Sequence, residues 1–123
     1  MRRFFFFLLL IALVTNCENE NTKKKEFNAD RDKQKITLAL KTKIERGRMV
    51  YFANCVSCHN NNPKMTGSLG PELHGVTIEV LTRKIISGLY PKSYIPKRTS
   101  RIMPIMPHLN KEIINLHAFL NSS

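Results

Sequence analysis

The chain has 123 residues, with 20 Lys and Arg against 9 Asp and Glu, a formal charge of +11, three Cys and no Trp. This length suffices for one domain, and the charge belongs to its body: from Leu40 onward twelve basic residues face four acids, Glu45, Glu72, Glu79 and Glu112, a net of +8. Such a charge first suggests nucleic acid, but no recognised binding motif accompanies it and Trp is absent, so acidic protein surfaces or an anionic membrane fit better.

The first element is Met1-Arg2-Arg3 followed by the apolar run Phe4 to Val14. A basic start and an apolar run too short to span a bilayer comfortably fit a secretory signal. Cys17 stands just after that run and is the odd cysteine of the chain. Leu13-Val14-Thr15-Asn16-Cys17 resembles a bacterial lipoprotein cleavage site. The resemblance implies that residues 1–16 are a signal peptide and that Cys17 becomes a lipidated first residue. The protein would then be held at the periplasmic side of a bacterial membrane. From Glu18 to Lys35 the chain is rich in Asn, Lys, Glu and Asp, with Phe27 as its lone large apolar residue. Such a stretch cannot bury enough surface to offset its ordering entropy, so residues 17–41 are expected to form a flexible tether.

A first helix is expected over residues 42–57, with Ile44, Tyr51 and Cys55 on one face and Lys43, Arg46 and Arg48 largely outside. Gly47 inside it costs about 1 kcal/mol relative to Ala, and a close helix crossing supplies a reason for it. The helix leads into Cys55-Val56-Ser57-Cys58-His59, the attachment pattern for c-type haem. Two thiols three positions apart can add to the two vinyl groups of one porphyrin, and the adjacent imidazole then lies beneath the iron as a neutral nitrogen ligand. A zinc site would need a second ligand pair, for which the chain offers only Cys17, His74, His108 and His117. A redox dithiol would need βαβ context, and no alternating strand pattern flanks the motif.

Gly70-Pro71-Glu72-Leu73-His74-Gly75-Val76 follows, read as a turn. A middle helix is expected from Ile78 to Ser87, with Thr77 as its N-cap and Gly88 as its stop. Its Val80, Leu81, Ile85 and Ile86 are candidates for a cofactor wall. From Leu89 to Ile102 two prolines, Pro91 and Pro96, break helix, while Lys92, Lys97, Arg98 and Arg101 concentrate charge. Met103-Pro104 and Met106-Pro107 come next. A last helix is expected from Lys111 to Leu120 with Asn110 as N-cap, and with Ile113, Leu116, Phe119 and Leu120 as its apolar stripe.

In this order the pieces from about residue 42 to 122 resemble the small, single-haem cytochromes c of bacteria. The resemblance implies an all-α fold of three or more helices wrapped around one covalently attached haem c, held by Cys55, Cys58 and His59. It implies that Gly47 and Tyr51 pack against Phe119, and that the Pro71 carbonyl accepts a hydrogen bond from His59. It implies Met103 as the sixth ligand, with Met106 the alternative three residues nearer the last helix. His74, His108 and His117 stay outside the coordination sphere, and Met49 and Met65 fill core or loop. The segment between Gly88 and Met103 is longer than is common in this family, which suggests a docking surface near the haem edge.

The expected function is single-electron transfer between redox proteins by a carrier, not an enzyme, that is a monomer outside any complex and meets acidic partners. Two alternatives remain: a cytochrome subunit of a periplasmic oxidoreductase, and a gas-binding haem sensor with an open sixth position. Because a domain of about eighty residues lies near the lower limit for a self-sufficient core, the haem-free chain is expected to be unfolded or molten.

Overall fold

A computed structural model describes residues 20–122, and the expected signal peptide and Cys17 lie outside the described residues. Three α-helices and one 3-10 helix make up its regular structure, with no strand among the described residues. The fold is therefore all-α. The helices are α1 (Glu20–Asn54), α2 (Ile78–Ser87) and α3 (Ile113–Leu120), the last entered through a 3-10 helix over Pro107–Glu112. None of the described helices is long and apolar enough to cross a membrane.

The chain divides into two units, one ending at Leu38 and one running from Ala39 to the end. In the first, the described residues are the N-terminal length of α1, and residues 30–38 are all exposed. Helix was expected only from residue 42, and the difference has a physical reason. Low hydropathy denies this segment a buried face, but it does not deny it helical backbone: no Gly or Pro interrupts Glu20 to Arg46, and Lys, Glu, Gln, Ala and Leu are good helix formers. Thr37 donates back to the Lys33 carbonyl (2.9 Å).

In the second unit α1 turns a narrow face inward, with Gly47, Val50 and Tyr51 buried while Lys43, Arg46 and Arg48 remain exposed. A Cβ on Gly47 would overlap the Asn115 carbonyl of α3 and come within 2.9 Å of the Phe119 Cβ. The missing side chain therefore permits the crossing, and the Tyr51 and Phe119 rings meet there at 5.3 Å between centroids. Arg46 fastens the same crossing with a bidentate pair to Glu112, 3.0 and 2.6 Å, and Asn115 donates to the same carboxylate (2.9 Å). The α-helix ends at Asn54, three residues before its expected end, where the Asn54 amide donates to the Val50 carbonyl (2.8 Å).

The α2 helix has the expected bounds. The Thr77 hydroxyl accepts from the Val80 N–H, Gly88 closes the helix in the left-handed region (φ 73°), and Val80, Leu81 and Ile85 are buried. The last helix differs from expectation at its start. Asn110 makes no side-chain cap; instead the chain enters helix at Pro107, whose fixed φ suits a first helical position, and tightens through the 3-10 turns before α3. Leu109, Ile113, Leu116 and Leu120 complete a core shared with Val50, Tyr51, Leu81 and Ile85.

Candidate functional site

The residues after α1 continue its hydrogen bonding for about one more turn: Cys55 N–H donates to the Tyr51 carbonyl (2.8 Å) and His59 N–H to the Cys55 carbonyl (2.9 Å). This turn holds both thiols and the imidazole at the edge of a cavity of about 490 Å³, within the range of about 300–1,000 Å³ typical of ligand sites. The Cys55 thiol is buried and Cys58 is part-exposed. Burial pushes the Cys55 thiol up to about 11, with Cys58 adding to the rise. Tyr51, fully buried beneath them, donates its hydroxyl to the Asn60 carbonyl.

His59 is 8% exposed and lines the cavity. Its Nδ1–H donates to the Pro71 carbonyl oxygen at 2.8 Å. A carbonyl can only accept, so this bond places a proton on Nδ1, and Nε2 has no hydrogen-bond partner among the described residues. The loop that brings Pro71 there folds back on the motif: Leu69 and Gly70 N–H groups both donate to the Cys58 carbonyl (3.2 and 2.9 Å), and Gly67 N–H donates to Gly70 (2.9 Å). Two glycines make the approach possible. A Cβ on Gly70 would stand 2.5 Å from Nδ1 and 2.7 Å from Nε2 of His59, and one on Gly67 would stand 2.6 Å from the His59 Cα. Sequence reasoning missed both glycines as packing positions, although the Gly67-x-x-Gly70-Pro71 spacing carries the signal.

The other walls are largely apolar. Val80, Leu81 and Ile85 of α2, Leu116 and Leu120 of α3, and the thioether residues Met103 and Met106 all line the cavity. Ile86, also expected in that wall, packs on the core instead and is not among the lining residues. Both methionines are part-buried, and the Met106 N–H is tied to the Ile85 carbonyl at 2.7 Å. The remaining histidines lie elsewhere. His74 Nδ1–H donates to the Leu120 carbonyl at the end of α3 (2.9 Å), while His108 is exposed and His117 half-buried, and none of the three lines the cavity. Met49 and Met65, expected to fill core or loop, are exposed at 57% and 55%, so Met49 is no part of the core.

The long segment 89–102 forms one rim. Tyr90 and Tyr94 stack at 5.0 Å, and the Lys84 ammonium lies 4.6 Å over the Tyr90 ring. Lys97 pairs with Glu72 at 2.9 Å and, first among its causes, draws the Glu72 carboxyl below the usual carboxylate range. Lys92 and Arg101 are exposed.

Chemically, the cavity offers one imidazole on its His59 side, two thioethers, two free thiols at the edge and apolar walls between. A large, mostly apolar, thiol-reactive metal complex fits this donor set. A structural zinc ion fits less well, because among the described residues no three His, Cys, Asp or Glu side chains gather to hold a metal ion. Comparison with protein-family models, with curated proteins and with solved structures gives no match.

Proposed function

We propose that this chain is an exported c-type cytochrome that carries single electrons between redox proteins. The observation that carries the reading is His59: it directly follows the second thiol, donates its Nδ1–H to the Pro71 carbonyl, and lines a largely apolar cavity. Cys55 and Cys58 would hold the haem covalently, His59 would be its nitrogen ligand and Met103 its thioether ligand. Haem supplies reversible one-electron chemistry at iron, and a soft, neutral thioether favours the ferrous state. The rest of the task falls to the chain: Pro71 orients the imidazole, and α2 and α3 keep water from the ring.

Two thioethers at the cavity favour a filled sixth position over an open one. The net positive domain favours acidic redox partners, met near the exposed Lys92 and Arg101. Cys17 would anchor the protein at the periplasmic face of a membrane.

The test is covalent retention of haem. Protein expressed with a cytochrome c maturation system should keep haem on the polypeptide after denaturation, and Cys55→Ala with Cys58→Ala should release it. Failure of the wild-type chain to attach haem, in a host that matures a control cytochrome, overturns the reading.

A further inference from the structure

The segment from Leu89 to Ile105 carries Met103 and crosses one rim of the cavity without regular structure. Its backbone hydrogen bonds are internal, Tyr94 N–H to the Pro91 carbonyl (3.0 Å) and Ile102 N–H to the Ser100 hydroxyl (3.5 Å). Among the described residues its hydrogen bonds to the rest of the domain come from two side chains, and both reach the loop that orients His59. Lys97 Nζ donates to the Glu72 carboxylate (2.9 Å) and to the Glu72 backbone carbonyl (3.3 Å), while Arg98 makes a long contact of 3.5 Å to the Gly67 carbonyl. The second carboxylate oxygen of Glu72 accepts from the Thr66 hydroxyl (3.3 Å).

Glu72 has a privileged position in that loop. Its nitrogen is bonded to the Pro71 carbonyl carbon, and the peptide unit between them is planar and stiff. A shift of Glu72 therefore swings the oxygen that accepts the His59 Nδ1–H bond. Among the described residues the other hydrogen bond between these two segments is the longer Arg98–Gly67 contact.

We propose that Lys97 is a positioning residue: by gripping Glu72 it fastens the methionine-bearing segment to the loop that orients His59, and so holds the two sides of the cavity together. This rests on the haem reading above. Met103 lies six positions after Lys97, so the grip acts on the same segment that carries the methionine. Lys97 and Glu72 side chains are 41% and 40% exposed, so salt screens the latch and its effect is graded.

The experiment is the rate at which added imidazole displaces the sixth ligand in haem-loaded protein, followed by absorption spectroscopy at low and high salt. At low salt Lys97→Gln and Glu72→Gln should each speed displacement about two- to fivefold, the range that an exposed ion pair supplies. At high salt the wild-type rate should rise towards theirs. The double variant Lys97→Glu with Glu72→Lys should recover much of the wild-type rate. Lys64→Gln removes the same charge from an exposed side chain that grips neither Glu72 nor the 89–105 segment among the described residues, and should leave the rate unchanged. Wild-type rates in both single variants overturn the latch, as does an equal rise in Lys64→Gln, which assigns the effect to net charge. A wild-type chain that retains no haem after denaturation is a different failure, visible before any variant is compared, and it removes the haem reading and the latch together.

Discussion

At His59 the site depends on atoms that are absent as much as on atoms that are present. Gly70 lies flat against the imidazole, and a Cβ there would stand 2.5–2.7 Å from both ring nitrogens. Ordinary contact begins near 3.4 Å and the ring Cε1 would be nearer still, at 2.3 Å, so Gly70→Ala forces the ring back by up to about 1.1 Å. The 2.8 Å bond to Pro71 cannot survive a retreat of that size in most directions. Under the proposed haem reading, the cofactor should stay attached through Cys55 and Cys58 while ligation by His59 weakens, read as a shift towards high-spin character in the absorption spectrum. Pro71→Ala keeps the carbonyl that accepts the bond and should remain close to wild type. Equal spectra for Gly70→Ala and the wild type would show that the loop can yield without disturbing the ring. The carbonyl's role was legible in Gly70-Pro71 through the cytochrome c resemblance. The reason for the glycine was missed, because a steric exclusion at one atom has no periodicity and shows only in the Gly67-x-x-Gly70-Pro71 spacing.

Between elements, legibility followed how local the determinants are. The α2 helix was legible from end to end because its signals sit within its own twelve residues: Thr77 caps, Gly88 adopts φ 73°, and the apolar positions repeat at helical spacing. The crossing of α1 and α3 was legible only through the pairing of Gly47 and Tyr51 with Phe119. Its fastening was not, since Arg46 and Glu112 lie 66 residues apart. That fastening has a pH signature. Arg46, by a bidentate hydrogen bond, and then Asn115 hold the Glu112 carboxyl well below the usual 4.5, at about 2. The folded chain therefore binds this proton more weakly than the unfolded chain does. The stabilisation is full above about pH 4.5 and is lost as pH falls towards 2. Denaturant unfolding of the haem-loaded protein should show stability declining across that window, and Glu112→Gln should flatten the decline. A Glu112→Gln variant with the wild-type slope would assign acid sensitivity to other groups. Added salt should blunt the effect in the wild type, because the Arg46 side chain is 54% exposed.

For the whole molecule the question is what the core is built around. Val50, Tyr51, Leu81, Ile85, Leu116 and Leu120 form one cluster, and Tyr51, Leu81, Ile85, Leu116 and Leu120 also border the cavity. The best-buried side chains of the domain thus face a space that the polypeptide does not fill. Side chains that border a space of about 490 Å³ lack packing partners on that side. Small domains have only about 5–15 kcal/mol of net stability, so contacts missing there weigh against a small margin. Covalent haem would remove the deficit by filling the space with apolar ring and by supplying contacts to both sides of it. The prediction is that Cys55→Ala with Cys58→Ala, purified free of haem, retains helical far-ultraviolet dichroism but shows a broad thermal transition with weak cooperativity, and binds a hydrophobic dye. The haem-loaded chain should melt sharply. A sharp transition in the haem-free chain would mean that the cluster closes over the cavity unaided, and that Met103 and Met106 act as packing residues before they act as anything else.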